Sequence, residues 1–461
     1  MLKPLKVFVG VLLLVLFVGP VSQMLSEAEA FAQTADTAWV RRYNGPESSL
    51  DYGMALAVDV SGYIYVTGYS QGTGTSNDYA TIKYYSNGDT AWLRRYDGPG
   101  NLWDEVKAMV VDDSGHVYVT GGSYGIGTSY DYATIRYFSN GDIAWVERYN
   151  GPGNSDDMAF AITVDDSNCV YVTGTSKGIG TQTDYCTIKY HPDGDTVWVR
   201  RYNGPGNASD AASAMAVDDS GYVYVTGKSR GSVTWDDYAT IKYHPNGDTA
   251  WVRRYNGSGN VSDQAGAIAI DGFGNVYVTG YSTGSETGQD WATIKYYPNG
   301  DTAWIRRYDG PSHLQDYGRA LALDPAGNVY VTGWSYDDAS GFDYLIIKYD
   351  PLGNEVWVEK YDGPANDYDN ARDIAVDGDG NIYVTGESNF SGSDWDFVTI
   401  KYVQSNDVKD ETGSREGPSE FVLSQNYPNP FNPTTKISSP WPSRALSPCR
   451  YMTSWEERCE P

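Results

Sequence analysis

Aspartates at fixed intervals are the residues of this chain whose type and spacing first suggest chemistry. Three aspartate positions are filled in each of seven similar segments. Paired carboxylates suit Ca²⁺ binding or acid–base work on a glycan. An aspartate that recurs unchanged in every segment is more typical of a framework, where it caps turn N–H groups or pairs with a basic residue such as Arg42 or Lys83. We therefore expect no resident cofactor, and Ca²⁺ is the one ion these carboxylates would suit.

The three aspartate sets contain one residue per segment at intervals of 53 residues. The first set is Asp51, Asp104, Asp157, Asp210, Asp263, Asp316 and Asp369. The second set is Asp78, Asp131, Asp184, Asp237, Asp290, Asp343 and Asp396. The third set is Asp59, Asp112, Asp165, Asp218, Asp271, Asp324 and Asp377.

Aromatic residues in the variable loops break the regularity of the segments. These loops lie just before the first two aspartate sets, and flat rings beside carboxylates and amides predict a sugar-binding surface. The alternative is packing, because one of these residues, Trp291, stands where the first segment has Tyr79. The candidate ligand-binding residues are Trp103, Tyr130, Trp235, Trp291, Phe342, Tyr368 and Trp395.

Catalytic and metal-binding patterns are weak in this sequence. None of the four histidines belongs to an evident Ser/Asp triad or a zinc-ligand pattern, and no glycine-rich phosphate loop follows a strand. The closest approach to an active site is the sixth segment, with Tyr336, Asp337, Asp338 and Arg319. We predict a non-catalytic protein without a metal site, and keep a secreted carbohydrate-active enzyme as the alternative.

A constant period of 53 residues sets the architecture that must position these residues. The phrase Asp-Thr-Ala-Trp-Val-Arg-Arg-Tyr begins at Asp36 and recurs, with changes, from residues 89, 142, 195, 248, 301 and 354. Each unit has four strand-like runs separated by Gly and Asn turns, which in the first unit are Thr37–Tyr43, Gly53–Asp59, Tyr63–Tyr69 and Tyr79–Tyr85. Seven four-stranded units predict an all-β, seven-bladed β-propeller over residues 36–403.

The phase of the repeat predicts how the ring closes. The inner strand should start each blade, so the first two aspartate sets share one face of the propeller and the third set lies on the other. The Thr37–Tyr43 strand would then pair beside Asp396–Tyr402 and complete blade seven, which removes an exposed edge. The repeated tryptophans and tyrosines, such as Trp39 and Tyr43, are expected to pack between blades.

Composition limits the partners of the chain. A formal net charge of −27 excludes nucleic acid, because phosphate binding needs a cationic surface. Only four cysteines occur, and Cys169 and Cys186 are expected to be free thiols, so there is no disulfide framework.

The repeats resemble a known family. The motif Asp-x-x-Gly-Asn-x-Tyr-Val-Thr-Gly resembles the SBBP beta-propeller repeat. Its last four residues, Tyr-Val-Thr-Gly, occur for example at Tyr65–Gly68 and Tyr330–Gly333. The resemblance covers residues 36 to about 403. It implies a seven-bladed propeller on exported proteins and carries no single biochemical activity.

The N-terminal residues predict export. Lys3 and Lys6 precede an apolar run from Val7 to Val21, and small residues follow, which is the order of a secretory signal peptide over residues 1–32. The run is short for a membrane span, so we expect no stable span in the mature chain.

The C-terminal residues resemble a secretion signal. A polar linker over residues 404–420 leads to a segment similar to the start of the type IX secretion system (type A) sorting domain of Gram-negative bacteria. The sorting motif is Gln425, Asn426, Tyr427, Pro428, Asn429, Pro430, Phe431, Asn432 and Pro433. The resemblance implies the type IX machinery as a partner and a secreted or cell-surface location. If the secretion machinery does not recognise the C-terminal segment, the expected location is the periplasm.

The sorting domain is incomplete over residues 421–461. We predict that the coding sequence is out of frame after about residue 438. Allowed codons for Leu446–Glu460, read in the shifted frame, give Val-Thr-Leu-Gln-Val-Tyr-Asp-Ile-Leu-Gly-Arg-Glu-Val-Arg. This peptide has the alternating residues of a β-strand followed by a glycine turn. A single-base loss near the codons of Ser438 and Ser439 is therefore expected in the gene. Nucleotide sequencing checks this, and a shifted frame without that strand pattern would refute it.

Together these features predict an exported interaction or adhesion module with a glycan or a surface protein as its ligand. A structural surface-layer component is a further alternative.

Overall fold

Seven antiparallel sheets follow one another along the chain. Each of the first six combines three strands of one repeat unit with the first strand of the next unit, and the seventh has three strands of the last unit. The computed structural model describes residue 39 and residues 41–47, 51–363, 365–378, 380–388, 396–403, 422–424 and 436–438. Within these ranges the first six sheets have four strands and the seventh has three, each arranged as a simple meander. The predicted all-β architecture of propeller-like blades is confirmed, and each sheet is called a blade below.

Strands are numbered in chain order. The inner strands are β1 (Asp51–Val58), β5 (Asp104–Val111), β9 (Asp157–Val164), β13 (Asp210–Val217), β17 (Asp263–Ile270), β21 (Asp316–Leu323) and β25 (Asp369–Val376). The second strands are β2 (Ile64–Gln71), β6 (Val117–Tyr124), β10 (Val170–Lys177), β14 (Val223–Arg230), β18 (Val276–Thr283), β22 (Val329–Asp337) and β26 (Ile382–Ser388). The third strands are β3 (Asn77–Tyr84), β7 (Tyr130–Tyr137), β11 (Thr183–Tyr190), β15 (Asp236–Tyr243), β19 (Gln289–Tyr296), β23 (Gly341–Tyr349) and β27 (Asp396–Tyr402). The outer strands are β4 (Thr90–Tyr96), β8 (Ile143–Tyr149), β12 (Thr196–Tyr202), β16 (Thr249–Tyr255), β20 (Thr302–Tyr308) and β24 (Glu355–Tyr361).

Glycine fixes the turns and the closest backbone approach in each blade. Gly62 and Gly88 adopt φ of 80° and 83° in the turns after β1 and β3, a conformation that favours glycine. A Cβ atom on Gly68 would lie 1.8 Å from the backbone oxygen of Tyr52. This contact sits beside a bulge between Gly53 and Ala55 that recurs in every inner strand. The glycine of Tyr-Val-Thr-Gly is therefore a packing requirement.

The core lies between the faces of neighbouring blades. At the junction of blades four and five, the ring of Trp251 lies 6.2 Å from Tyr224 and 6.1 Å from Tyr296, and its Nε1 donates to the backbone oxygen of Pro298 at 3.1 Å. Similar clusters of buried residues fill the other five junctions from blade one to blade seven. The repeated tryptophans and tyrosines thus pack between blades, as predicted.

The segment predicted to close the ring contacts blade one. Nε1 of Trp39 donates to the backbone oxygen of Ser86 at 3.0 Å and Nε of Arg41 to that of Gly88 at 2.6 Å. In blade one itself, Trp92 and Arg94 make the same two contacts with blade two. The segment thus occupies the position of an outer strand preceding blade one, but its described residues are in no strand. Its pairing with β27 stays a prediction.

The residues from Gln404 onward belong to a second, smaller unit. Its described part is an antiparallel pair of short strands, β28 (Val422–Ser424) and β29 (Lys436–Ser438). The predicted signal peptide, the linker and the sorting motif lie outside the described residues, as does the segment after Ser438. Within the described ranges, no helix has the length and apolar character needed to cross a membrane.

Candidate functional site

The inner and third strands of every blade begin on one face, which we name the loop face. The loops before these strands carry the variable aromatics, and the first two aspartate sets stand at or next to the strand starts. The third set lies in the turns after the inner strands, on the opposite face. This division matches the prediction from the phase of the repeat.

The first aspartate set caps the loop that enters each blade. In blade five, Oδ2 of Asp263 accepts from the backbone N–H of Gly257 at 2.7 Å and Oδ1 from that of Thr283 at 2.9 Å. Burial raises the pKa of Asp263, although these hydrogen bonds lower it. The carboxylate therefore orders backbone groups and is a structural element.

The second aspartate set forms buried ion pairs that join two blades. Asp237 accepts from Nη2 of Arg254 at 2.7 Å, and Nη1 of the same arginine donates to the hydroxyls of Ser229 and, in the preceding blade, Tyr202. The predicted pairing with the Arg42 position is thus confirmed for its counterpart Arg254. Lys83 instead donates to the backbone oxygen of Ser139 at 3.3 Å.

The third aspartate set closes the turns on the opposite face. Oδ1 of Asp218 accepts from the backbone N–H groups of Ser220 and Tyr222, and Oδ2 accepts from the hydroxyl of Tyr224 at 2.9 Å. Burial, together with this carboxylate, raises the pKa of Tyr224. Within the described ranges all three sets have framework partners, as the regularity of the repeat predicts.

A buried aspartate in blade seven departs from the repeat. Asp373 stands where the other six units have alanine, and its described hydrogen bond comes from the backbone N–H of Ile374 at 2.9 Å. Burial raises the pKa of Asp373 well above its usual range. We expect Asp373→Ala to stabilise the protein at pH 7 by about 1–3 kcal/mol, since it removes a poorly compensated buried carboxyl.

The sign of the pH dependence follows from that raised pKa. The folded chain holds the Asp373 proton more tightly than the unfolded chain. Protonation of Asp373 therefore contributes to the free energy of unfolding at low pH, and this contribution is lost as the pH rises through the folded-state pKa. The difference in thermal midpoint between Asp373→Ala and wild type should therefore be larger at pH 8 than at pH 4. Asp301→Ala, at an exposed position, serves as the control. Equal differences at both pH values would contradict this account.

Trp291 was predicted to contact a ligand, and the structure corrects this. Its side chain is 1% exposed, and its Nε1 donates to Oγ1 of Thr279 at 2.8 Å. It occupies the buried position that Tyr79 and Tyr238 hold in their own blades. Trp291 is a core residue that replaces the tyrosine of the repeat.

Trp103 and Tyr130 lie on the loop face of blade two. Trp103 is 48% exposed, and the ring of Tyr130 lies 4.5 Å from that of Tyr124. The hydroxyl of Tyr130 donates to Glu105 at 3.4 Å. Burial, with Glu105 as the next cause, raises the pKa of Tyr130. This group combines an exposed ring with a carboxylate.

Trp235 lies on the loop face of blade four beside several charges. It is 56% exposed, and the guanidinium of Arg230 lies 4.2 Å from the ring centroid. Arg230 and Lys228 both pair with Asp236, at 3.2 and 3.4 Å. Trp395 lies outside the described residues.

Phe342 and Tyr368 belong to a longer series of rings, which we name the aromatic row. Successive centroid distances along it are 4.7, 5.4, 4.8 and 4.8 Å, and all five side chains are half-buried. The row crosses from blade five to blade seven and consists of Tyr281, Tyr317, Trp334, Phe342 and Tyr368.

Tyr281, at one end of the aromatic row, lies near Asp236 of the charged group of blade four. Burial first, and then the neighbouring Tyr317 and Asp236, raise the pKa of Tyr281 to about 12. Tyr281, Tyr317 and Trp334 are not among the residues predicted from the sequence, because that prediction considered aromatic residues of the loops only. For Tyr281 and Trp334 the signal lay in the position after Tyr-Val-Thr-Gly, a strand position that varies between constant neighbours: Tyr69, Gly122, Thr175, Lys228, Tyr281, Trp334 and Glu387.

The opposite face has two grooves of a repeated kind. One, of about 480 Å³, lies between blades one and two and is lined by Tyr63, Lys83 and Trp92. The other, between blades four and five, is lined by the equivalent residues Tyr222 and Lys242. Because the same residues recur in other units, these grooves follow from the framework.

Face-to-face packing of seven successive sheets, six of four strands and one of three within the described residues, with neighbouring inner strands in contact, defines a β-propeller. The chain carries SBBP repeats: the family model described as "Beta-propeller repeat" matches residues 38–74, 197–232, 250–286, 306–338 and 361–392.

Other similarities are more distant. A WD repeat-containing protein of Acanthamoeba polyphaga mimivirus is 24% identical in an alignment 362 residues long that covers 62% of this chain and 24% of the viral protein. An ulvan lyase solved with a bound saccharide is 13% identical, with a TM-score of 0.41 over 76% of this chain and 93% of its own. Regucalcin from Agrobacterium tumefaciens is 11% identical, with a TM-score of 0.33 over 61% and 81%. None of these similarities assigns a role to a residue of this chain.

Proposed function

We propose that the protein is an exported, non-catalytic interaction module whose loop face binds glycan chains through the aromatic row. The observation that carries this proposal is the series of five rings, which occurs where the sevenfold framework is broken. Regular positions serve the fold in every blade, whereas the row occurs in blades five to seven.

The chemistry of the row suits a sugar chain. Pyranose rings have apolar C–H faces that pack on aromatic rings, while their hydroxyls need donors and acceptors at the edges. Lys228, Arg230 and Asp236 supply such groups at the end of the row near Tyr281. Exposed Trp235 extends the apolar surface beyond them.

Export belongs to the same proposal. The basic and apolar N-terminal residues and the sorting-domain resemblance at residues 425–433 support passage through the cell envelope. A glycan of the cell surface or of the surroundings is then the accessible ligand.

A glycan array and pull-down on insoluble polysaccharides test the proposal with the full chain. Trp334→Ala and Trp235→Ala are expected to lower glycan affinity about tenfold or more, as loss of an aromatic anchor does at other interfaces. Tyr297→Ala is the matched control, because Tyr297 is 50% exposed in a turn on the opposite face. Folding of each variant is checked by circular dichroism.

The outcomes separate the alternatives. Binding by wild type and Tyr297→Ala that is lost in Trp334→Ala supports the aromatic row as the site. Binding that survives both loop-face substitutions places the ligand elsewhere and refutes this site. A folded wild-type chain that binds no glycan refutes the glycan proposal.

A further inference from the structure

At three blade junctions on the loop face a third aspartate, Asp97, Asp309 or Asp362, follows the outer strand, and at two of them three carboxylates come close together. At the junction of blades one and two, Asp97 joins Asp78 and Asp104, and one ligand atom from each lies within 4.8 Å of the others. At the junction of blades six and seven, the same arrangement is formed by Asp343, Asp362 and Asp369. The position of Asp97 and Asp362 is occupied in the other units by Asn44, Asn150, Asn203, Asn256 and Asp309.

The extra carboxylate leaves these junctions with an excess of negative charge. Arg95 pairs with Asp78 at 2.9 Å, so one cation faces three carboxylates. At the junction of blades two and three, Arg148 pairs with Asp131 while Asn150 replaces the third aspartate. Substitution of one residue type within the same framework therefore changes the local formal charge by one unit.

The two aspartate trios also contain buried oxygens without a donor. Oδ1 of Asp78 and Oδ1 of Asp104 accept no hydrogen bond, although the residues are 5% and 0% exposed. In blades three and four, the Oδ1 atoms of Asp157 and Asp210 accept a backbone N–H at 3.0 and 2.9 Å. In blade two the corresponding N–H, that of Tyr124, donates to the backbone oxygen of Trp103 instead.

The second trio shows the same combination. Oδ1 of Asp343 and Oδ1 of Asp369 are buried without a donor, and Lys360 pairs with Asp343 at 2.7 Å. The third aspartate of this type, Asp309, differs, because His313 lies 2.6 Å from its Oδ2. Third-strand aspartates have a buried Oδ1 without a donor at the sister junctions as well, namely Asp131, Asp184, Asp237 and Asp290. What is particular to the two trios is the orphaned Oδ1 of the inner-strand aspartates Asp104 and Asp369, which coincides with the third carboxylate.

We propose that the Asp78–Asp97–Asp104 and Asp343–Asp362–Asp369 trios each bind a divalent cation, with Ca²⁺ as the best fit. Carboxylate oxygens are the hard ligands that Ca²⁺ takes, and it accepts irregular coordination completed by backbone oxygens and water. Buried carboxylate oxygens without donors need a compensating charge, which the cation supplies. A cation at each site would join two blades at the loop face.

Calcium titration of the full chain tests the proposal. Chelator-treated protein in about 150 mM salt, which screens loose binding to surface charges, is titrated with CaCl₂ by isothermal calorimetry. The wild type is expected to bind two Ca²⁺ per chain and Asp97→Asn one, because the substitution recreates the asparagine of the sister junctions. The double variant Asp97→Asn/Asp362→Asn is expected to bind none.

A matched control and a second readout keep the test decisive. Asp301→Asn removes the same charge at an exposed surface carboxylate and should leave stoichiometry and affinity unchanged. Ca²⁺ should raise the thermal midpoint of the wild type and not that of the double variant. Undetectable binding at millimolar Ca²⁺, or equal stoichiometry in wild type and double variant, would overturn the proposal.

Discussion

Replacing Trp251 by alanine is expected to lower the free energy of unfolding by about 3–5 kcal/mol, the range for truncating a buried tryptophan. The indole is 8% exposed and packs between Tyr224 and Tyr296 at the junction of blades four and five. Its removal leaves a cavity that two rigid sheets cannot fill by moving together. The substitution also leaves the backbone oxygen of Pro298 without this donor.

Urea denaturation followed by far-UV circular dichroism measures this effect without relying on tryptophan fluorescence. Trp251→Phe should be less destabilised than Trp251→Ala, because it keeps most of the packing and loses only the N–H donor. Trp235→Ala is the control, since this exposed ring loses at most a cation–π contact of about 0.5–1 kcal/mol. A Trp251→Ala variant as stable as Trp235→Ala would contradict the packing role.

The framework of this protein could be predicted from sequence because its information is repeated. The three predicted strands of the first unit that the structure assigns, Gly53–Asp59, Tyr63–Tyr69 and Tyr79–Tyr85, agree with β1, β2 and β3 to within two residues at each end. The glycine turns and the alternation of apolar residues act locally, and every unit repeats the same signal. Sequence reasoning about one unit therefore applied to all seven.

The candidate site was harder to predict because it depends on contacts between units. Trp334 and Tyr317 stack at 5.4 Å although they come from different strands, and Tyr281 joins them from the preceding blade. Residue order alone contains no distance between such positions. Trp291 shows the opposite error, since an aromatic residue at a loop edge turned out to fill a core position.

We expect the function of this chain to depend on its departures from the sevenfold pattern. The aromatic row, the two aspartate trios and Asp373 all include positions where a minority of the units differ from their sisters. The sister units supply a natural control for each departure: alanine for Asp373 and asparagine for Asp97. A substitution that restores the pattern can remove a proposed function while it preserves the framework.

Arg254→Ala is expected to destabilise the protein by about 3–5 kcal/mol, because it leaves a buried carboxylate without its cation. Asp237 is 4% exposed, its Oδ1 has no hydrogen-bond partner, and its Oδ2 depends on Arg254 and on Oγ1 of Thr234. Arg254→Lys should cost much less, since Lys360 reaches the equivalent Asp343 at 2.7 Å in blade six. Urea denaturation of the three proteins measures the difference.

A double variant separates the ion pair from simple loss of packing. Asp237→Asn removes the charge that Arg254→Ala leaves unpaired, so the combined variant should be more stable than Arg254→Ala alone. If burial of the arginine stem were the main contribution, the second substitution would add its own cost and lower stability further. The sign of that change therefore decides whether charge compensation or packing makes this arginine recur in six of the seven units, where lysine takes its place only at Lys360.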